Sequence, residues 1–371
     1  MENKFLKISY EEQIKQKSEY VSNVFTQEKI NIPVNQIIRN EKPKHYRHKV
    51  TASATSVLVN KKPKLRLGMF VENTHDIDPN FTSIIHDQDI DLLLNHIEKV
   101  LNQYKISAYD IKTKKGIIKH VLIRKSYLNQ DMLIVFVTNG YLFPNSKNII
   151  SDIRKDFPNV KTATQMIQNK QTPIALYGEE KILFGKGYIE DGFDDLTFRL
   201  SSKSFYQVNP QQMIKLYEKA IELANIDTKD VVMDCYSGIG TISLLAAKKA
   251  KEVIAVEVNQ SAVKDAIFNA KNNNIDNVKF YCDDVEKFMD TFNQKVDVLI
   301  LDPTRTGASL KFIQSVVKLK PKKIVYISCF VETQVRDVKQ LMHMYDIKEI
   351  QPVDMFSYTE HVESITLLSL K

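Results

Sequence analysis

The sequence is poor in cysteine and has no long apolar run. Its three cysteines, Cys235, Cys282 and Cys329, lie far apart among 371 residues. This spacing argues against a disulfide framework and against a cysteine-rich metal or iron–sulfur site, so neither a metal nor a cluster is expected. No apolar run approaches the roughly 20 residues that span a bilayer, and the N-terminal stretch lacks a signal-peptide core. A cytoplasmic protein is therefore expected.

The remaining composition is typical of a globular protein, with 43% hydrophobic and 26% charged residues. The length suits two domains with an extension, and no internal repeat is present. The formal net charge is +7, and lysine and arginine concentrate at residues 41–68 and 112–125. Such clusters suit the phosphate backbone of a nucleic acid, although a lysine-rich solvated surface explains them equally well.

The predicted elements divide the chain into three parts. Residues 1–44 form a helical extension, and residues 45–190 mix strands and helices as a smaller α+β domain does. Within residues 191–371, continuous apolar strands alternate with helices, which predicts a parallel, doubly wound α/β sheet covered on both faces. Two final strands without an ordinary helix between them predict an antiparallel hairpin at its edge. This pattern is typical of a class I (Rossmann-like) methyltransferase domain.

Glycines and acids follow the carboxyl ends of the first strands of this domain, where ligands bind in such sheets. In "DCYSGIG", residues 234–240, Gly238 and Gly240 permit a tight turn and a close backbone approach to a ligand. Glu257 ends the second strand, where an acid can accept both hydroxyls of a ribose. The loop lacks the GxGxxG phosphate pattern, so S-adenosylmethionine is the better candidate. Two acids follow the third strand near the expected adenine, and Asp284 is the better placed.

Three reactive side chains follow later strands of the same sheet. The fourth strand ends in "LDPTRTG", which contains Asp302; the fifth ends at Cys329; and the last hairpin carries Glu363. A lone cysteine is most often a small buried hydrophobe. Its coincidence with two carboxylates at one edge favours a catalytic site instead.

Five motifs occur in the order typical of one enzyme family, and they span most of the chain. The sequence resembles the S-adenosylmethionine-dependent RNA uracil-5-methyltransferases, which form 5-methyluridine in transfer and ribosomal RNA. It opens like family members without an additional N-terminal RNA-binding barrel. The motifs are "SFYQVNPQQ" (204–212), "MDCYSGIGT" (233–241), "LDPTRTG" (301–307), "VYISCFVETQVRD" (325–337) and "DMFSYTEHVE" (354–363).

The resemblance implies a role for each matched side chain. Cys329 would add to C6 of uracil, which makes C5 nucleophilic, and Glu363 would later remove the C5 proton. The pKa of the thiol would have to be lowered, because the thiolate is the reactive form. Phe205 or Tyr206 would stack on a base that has left its helix. The residues implied to hold the cofactor are Gln207, Tyr236, Gly238, Gly240, Thr241, Glu257, Asp284 and Asp302, with Phe205, Gln207 and Asp302 also on the target base.

Some positions depart from the family pattern. Phe330 and Val331 replace Asn-Pro after the cysteine, Ser357 replaces a proline, and Thr304 replaces the second proline of Asp-Pro-Pro-Arg. These changes affect loop geometry and remove no chemically essential group.

Alternatives remain open at this level. Arg305 and Arg336 either hold phosphates and active-site loops or form structural salt bridges. An RNA cytosine-5-methyltransferase would need a cysteine after the fourth strand, which is absent here. An amino-group methyltransferase would leave Cys329 and Glu363 unused, and a non-catalytic RNA-binding relative is favoured only by the changed residues after Cys329.

RNA is the expected partner, and no membrane association is expected. The pattern of the middle domain and the short N-terminus resemble the branch that modifies 23S ribosomal RNA. The T-loop uridine of transfer RNA is the second candidate. The enzyme is expected to act as a monomer.

Overall fold

The computed structural model describes residues 4–71, 74, 76–78, 83–170, 172 and 174–371. Two compact units make up the described chain. The first runs from Lys44 to Asp194 and includes Arg199–Lys203, and the second contains the chain up to Pro43, Asp195–Phe198 and Ser204–Lys371. The N-terminal segment thus belongs to the same unit as the C-terminal sheet. The roles suggested for the three sequence segments stay predictions.

The N-terminal segment contains a 3₁₀ turn (Lys4–Leu6) and helix α1 (Tyr10–Gln27). The side-chain oxygen of Ser9 accepts a hydrogen bond from a backbone N–H of the first turn at 3.2 Å, which caps the helix. Val21 and Phe25 are completely buried in the core of the second unit. The apolar face of α1 therefore fixes this helix to its unit by packing.

The first unit contains a seven-stranded sheet and two helices. A two-stranded hairpin follows along the chain, and only Arg199–Ser201 of its second strand belong to this unit. The elements are β1 (Lys49–Val59), β2 (Lys62–Phe70), β3 (Ile77–Asp78), α2 (Gln88–Gln103), β4 (Ile118–Lys125), β5 (Met132–Thr138), α3 (Ser146–Asp156), β6 (Val160–Ile167), β7 (Glu179–Phe184), β8 (Tyr188–Phe193) and β9 (Leu196–Ser201). The strand order in the sheet is β3-β2-β1-β4-β5-β6-β7. Its pairs are antiparallel except for β5 with β6.

The core of the first unit lies on one face of its sheet. Helix α2 carries Ile90, Leu93 and Ile97 at helical spacing, and all three are completely buried in this core. Strand β5 is buried along its whole length, which explains its continuous apolar sequence. The observed mixture of strands and helices has the α+β character that the sequence predicts.

The second unit contains a seven-stranded sheet with helices between its strands. After α1, its elements are α4 (Pro210–Ala224), β10 (Val231–Cys235), α5 (Thr241–Ala247), β11 (Glu252–Glu257), α6 (Gln260–Asn272), β12 (Val278–Cys282), α7 (Val285–Thr291), β13 (Val298–Leu301), α8 (Leu310–Leu319), β14 (Lys323–Ser328), α9 (Val331–Leu341), β15 (Tyr345–Val353) and β16 (Glu363–Leu370).

The order of this sheet is β12-β11-β10-β13-β14-β16-β15. Strands β10 to β14 run parallel, and β16 pairs antiparallel with both β14 and β15. The predicted class I methyltransferase fold is therefore confirmed. Because the strand order reverses at β10, the carboxyl edge of β10 and β13 is the expected ligand site of such a sheet.

Within the described ranges, no helix is both long and apolar enough to cross a membrane. The same residues include no group of three or more His, Cys, Asp or Glu side chains that could hold a metal ion.

Candidate active site

The loop after β10 has the backbone shape of a ligand cradle. Tyr236, Gly238 and Gly240 all have positive φ, at 65°, 55° and 84°. A Cβ on Gly240 would lie 3.1 Å from the ring of Phe280, whereas a Cβ on Gly238 would meet nothing within 4 Å. Gly240 is thus required by its φ and by close packing. Gly238 leaves open space beside the loop, which fits the predicted S-adenosylmethionine.

Glu257, at the end of β11, is oriented by this loop. Its carboxylate accepts hydrogen bonds from the backbone N–H of Gly238 at 3.0 Å and of Asn259 at 2.7 Å. The side chain is partly exposed, so it keeps acceptor capacity for ribose hydroxyls. Asp284 instead caps α7, where it accepts from two backbone N–H groups. Its contacts are those of a helix cap, and its cofactor role stays a prediction.

The segment 204–212 presents one exposed aromatic ring next to a buried amide. Phe205 is 64% exposed, whereas Tyr206 is buried and its ring centroid lies 6.4 Å from that of Phe198. Phe205 is therefore the ring available for stacking. Gln207 is buried and lies close enough to Tyr217 to lower the pKa of its hydroxyl, against the larger opposing effect of burial.

The other polar residues of this segment hold it in place. Asn209 donates to the carbonyl of Met355 at 2.9 Å. Gln212 donates to the carbonyl of Asp354 at 3.1 Å. The motif thus fixes its own loop to Asp354 and Met355, the first residues of the closing motif, directly after β15.

Asp302, Cys329 and Glu363 lie at the ends of three neighbouring strands. Asp302 follows β13, Cys329 follows β14, and Glu363 begins β16. Strand β14 pairs with β13 on one side and with β16 on the other, with Ser328 opposite Ser364. The strand order therefore brings the thiol and the two carboxylates to one edge of the sheet, where the sequence predicts them.

Burial and neighbouring acids raise the pKa of all three groups. Burial, Glu363 and Asp302 together raise the pKa of Cys329 to about 11, against the opposing effect of Arg305. Burial and then Asp302 raise the pKa of Glu363 well above its ordinary value. Burial and Asp234 raise that of Asp302 to about 7. The lowered thiol pKa that the sequence led us to expect is wrong, because burial and the two neighbouring acids raise the pKa of Cys329 more than Arg305 lowers it.

We expect this raised pKa to be visible in the alkylation of Cys329 without cofactor. In a Cys282→Ser background, which removes the exposed thiol, carboxamidomethylation of Cys329 by iodoacetamide should accelerate about tenfold per unit between about pH 7 and 9. The thiolate fraction rises in this proportion below the pKa. Peptide mass spectrometry measures the rate, and a plateau starting below about pH 8 would contradict the prediction.

Glu363 is 2% exposed, and its Oε2 has no hydrogen-bond partner among the described residues. Buried polar atoms are normally paired, so an orphaned carboxylate oxygen beside a thiol is a typical feature of a reactive site. The position suits a base that acts on a bound substrate.

The unusual residues after Cys329 fit the local backbone. Ser328 Oγ accepts from the N–H of Phe330 at 3.1 Å, and Thr333 Oγ1 donates to the carbonyl of Phe330 at 3.0 Å. Val331 is the first residue of α9, the position at which proline is favoured. A valine there keeps the helix start, so the departure leaves the turn intact.

The two arginines differ in their contacts. Arg336 donates to Asp337 Oδ1 at 2.8 Å and to the carbonyls of Thr306 and Ala308 at 2.9 and 3.1 Å. Arg336 therefore holds the loop after β13. These contacts favour a structural role for Arg336 over a role in binding phosphate. Arg305 Nη2 lies 3.3 Å from His361 Nε2. The positive charge of Arg305 acts to lower the pKa of Cys329 and of Glu363.

A groove of about 690 Å³ opens beside Cys329. Its walls include Lys17, Tyr20 and Val24 of α1, and Phe330 and His361. The volume lies within the range of about 300–1,000 Å³ that is usual for ligand sites. The sequence did not reveal that α1 lines this groove. Of the opposite wall, the sequence indicated only His361, through its place in the closing motif.

A buried ion pair connects α1 to the closing motif. Lys17 Nζ lies 2.6 Å from Asp354 Oδ1, with both side chains at most 1% exposed, and also donates to the carbonyl of Phe356 at 2.9 Å. Asp354 Oδ2 accepts from Tyr10 at 2.8 Å and from Ser357 at 2.6 Å. Ser357, at a proline position of the family, is thus part of this network.

Replacing Lys17 with methionine is expected to destabilise the second unit by about 3–5 kcal/mol, since Asp354 would stay buried without its cation. Thermal or urea unfolding of the full chain measures the loss. Adding Asp354→Asn should restore part of it, because the stranded charge is removed. An unfolding midpoint unchanged by Lys17→Met would contradict this account.

Comparison with known proteins agrees with the geometry. The family model described as tRNA (uracil-5-)-methyltransferase matches residues 9–371. An uncharacterized RNA methyltransferase of Oceanobacillus iheyensis is 39% identical over 373 residues, covering 98% of this chain and 80% of that protein. One of Staphylococcus aureus is 37% identical over 369 residues, covering 98% and 81%.

Among solved structures, the chain is similar to the Pyrococcus abyssi tRNA (uracil-54, C5)-methyltransferase in complex with S-adenosyl-L-homocysteine. The TM-score is 0.80 at 23% identity, with coverage of 97% of this chain and 84% of that one. This likeness supports the fold. The family match over nearly the whole chain goes further: the chain belongs to the tRNA (uracil-5-)-methyltransferase family and is an S-adenosylmethionine-dependent RNA methyltransferase.

Proposed function

We propose that this enzyme methylates carbon 5 of a specific uridine in RNA through a covalent adduct between Cys329 and carbon 6. The observation that supports the proposal is that Asp302, Cys329 and Glu363 lie at the ends of the neighbouring strands β13, β14 and β16. A thiol flanked by two carboxylates supplies the nucleophile and the base that this reaction needs.

In the proposed reaction, the sulfur of Cys329 adds to C6 and the C5–C6 π electrons move onto the C4 carbonyl as an enolate. When bound, S-adenosylmethionine supplies an electrophilic methyl group, which C5 then accepts. Glu363 next takes the C5 proton. The electrons of the C5–H bond reform the double bond, and the C6–S bond breaks to release the thiolate.

The raised pKa of Glu363 suits its proposed role. Brønsted behaviour makes a carboxylate with a raised pKa a stronger proton acceptor than one in water. Its burial at 2% exposure also keeps water from the acceptor oxygen.

We assign the remaining site residues by their positions. Phe205 would stack on the extruded base, while Gln207 and Asp302 would hydrogen-bond to its polar edge. Glu257 would accept the ribose hydroxyls of the cofactor. The other proposed cofactor contacts are Gln207, Tyr236, Gly238, Gly240, Thr241, Asp284 and Asp302.

We propose 23S ribosomal RNA as the substrate, with the enzyme acting as a monomer in the cytoplasm. The pattern of the middle domain supports this choice. The second candidate is the T-loop uridine of transfer RNA, and the family description supports it only in naming transfer RNA. Unmodified transcripts of both RNAs, incubated with the enzyme and methyl-labelled S-adenosylmethionine, test the proposal. Label recovered as 5-methyluridine in the ribosomal transcript is expected.

Three other outcomes would each reject a part of the proposal. Label found only in transfer RNA would show that transfer RNA is the substrate. Label on cytosine would show that the enzyme methylates a different base. Binding without label on either RNA would favour a non-catalytic relative.

A further inference from the structure

Three cations gather at the start of β1 in the first unit. Lys49 and Arg124 are directly opposite each other in the antiparallel pair of β1 and β4, so their side chains leave the same face about 5 Å apart at Cβ. Arg47 precedes Lys49 by two residues, and its Nε donates to the carbonyl of Lys49 at 3.1 Å. Both Arg124 and Arg47 act repulsively on Lys49.

This arrangement is costly without a counter-charge. Like charges opposite each other on neighbouring strands are destabilising, and Arg124 is only 2% exposed. Among the described residues, neither Lys49 nor Arg47 forms an ion pair with an acid, and the ammonium of Lys49 has no hydrogen-bond partner. Burial and the two arginines lower the pKa of Lys49 to about 7.

The neighbouring cation on the opposite face shows the contrast. Lys125 follows Arg124 in the strand, and its ammonium contacts Asp87 at 2.9 Å and Asp89 at 2.7 Å. One face of the strand end thus pairs Lys125 with acids, while on the other face neither Lys49 nor Arg47 has an acid partner among the described residues.

We propose that Arg47 and Lys49, beside the buried Arg124, form a binding site for one backbone phosphate of the RNA substrate. A phosphodiester supplies the missing negative charge and several acceptor oxygens, which arginine and lysine donors match. The proposal rests on the RNA substrate proposed above. The proposed site differs from the surface cluster at 112–125 in its burial, because Lys112, Lys114 and Lys115 of that cluster are exposed.

Chemical labelling tests the site without any activity. With the full chain at about pH 7, acetic anhydride should acetylate Lys49 faster than the exposed Lys249 and Lys251, because more of its amine is neutral. A short single-stranded RNA should protect Lys49 and leave the two reference lysines unchanged. Peptide mass spectrometry measures all three sites. Equal labelling of Lys49 with and without RNA would overturn the proposal, whether or not the enzyme methylates that RNA.

Two variants of equal charge change provide the second test. Arg47→Gln with Lys49→Gln should weaken RNA binding at least about tenfold and reduce the salt slope of log K by about 0.7–0.9 for the lost phosphate. Lys249→Gln with Lys251→Gln should change neither. Identical slopes for both pairs would overturn the site.

Stability separates a functional site from a structural one. Without RNA, Lys49→Met should raise the melting temperature by about 2 °C, since a repulsive cation is removed. A site that exists for folding would instead lose stability in this variant. Improved stability together with weaker RNA binding is the expected result.

Discussion

Replacing Cys329 with alanine is expected to reduce methyl transfer by about 10⁴-fold or more, the scale on which enzymes lose rate with their nucleophile. C5 of uracil is too weakly nucleophilic to take a methyl group until a thiolate has added to C6. Cys329 is only partly buried and follows the last residue of β14, so alanine should leave the sheet intact. Cofactor and RNA binding, measured by calorimetry and filter retention, should persist.

Cys282 provides the matched control for this experiment. It lies at a strand end of the same sheet, as the last residue of β12, but it is exposed and β12 is an edge strand. Cys282→Ala should therefore retain full activity. Normal turnover by Cys329→Ala would remove the nucleophile assignment.

The catalytic fold could be predicted from the sequence because its signals are local. Strands β10, β13 and β14 are continuous apolar runs, and each is followed by a helix. Parallel strands buried on both faces require such runs. The final hairpin was predictable because the connection between β15 and β16 contains no helix of ordinary length.

The environment of the site could not be predicted from the sequence, because it depends on contacts between residues far apart in the chain. Lys17 and Asp354 are 337 positions apart, and a lysine in an amphipathic helix normally indicates solvent. The raised pKa of Cys329 arises from burial and then from Glu363 and Asp302. The sequence places these acids at one edge of the sheet but does not reveal how deeply the thiol is buried. The phosphate site proposed at Lys49, beside Arg124, could not be predicted either. It depends on the pairing register of β1 and β4, which their sequences do not indicate.

Replacing Glu363 with glutamine is expected to stop the reaction one step later than the loss of Cys329. Addition to C6 and methyl transfer do not require removal of the C5 proton, so both can still occur. The methylated adduct then cannot eliminate the thiolate, and turnover should fall by about 10²–10⁴-fold, the usual contribution of a general base. A covalent protein–RNA complex should accumulate as a slow band on a denaturing gel, with a mass that includes the new methyl group.

Two further variants decide whether Glu363 is the base or only fixes the hairpin. Glu363→Gln combined with Cys329→Ala should lose the band, because no thiol can hold the RNA. Asp302→Asn changes the other carboxylate of the site, and it should weaken base binding and reduce both adduct and product. If Glu363 only held β16 in place, one of two results would follow. Glu363→Gln would turn over almost normally, or it would lose adduct and product together, as is expected for Asp302→Asn. Because Glu363 Oε2 has no hydrogen-bond partner among the described residues, that oxygen has no structural bond to lose, and a trapped, methylated adduct is the expected outcome.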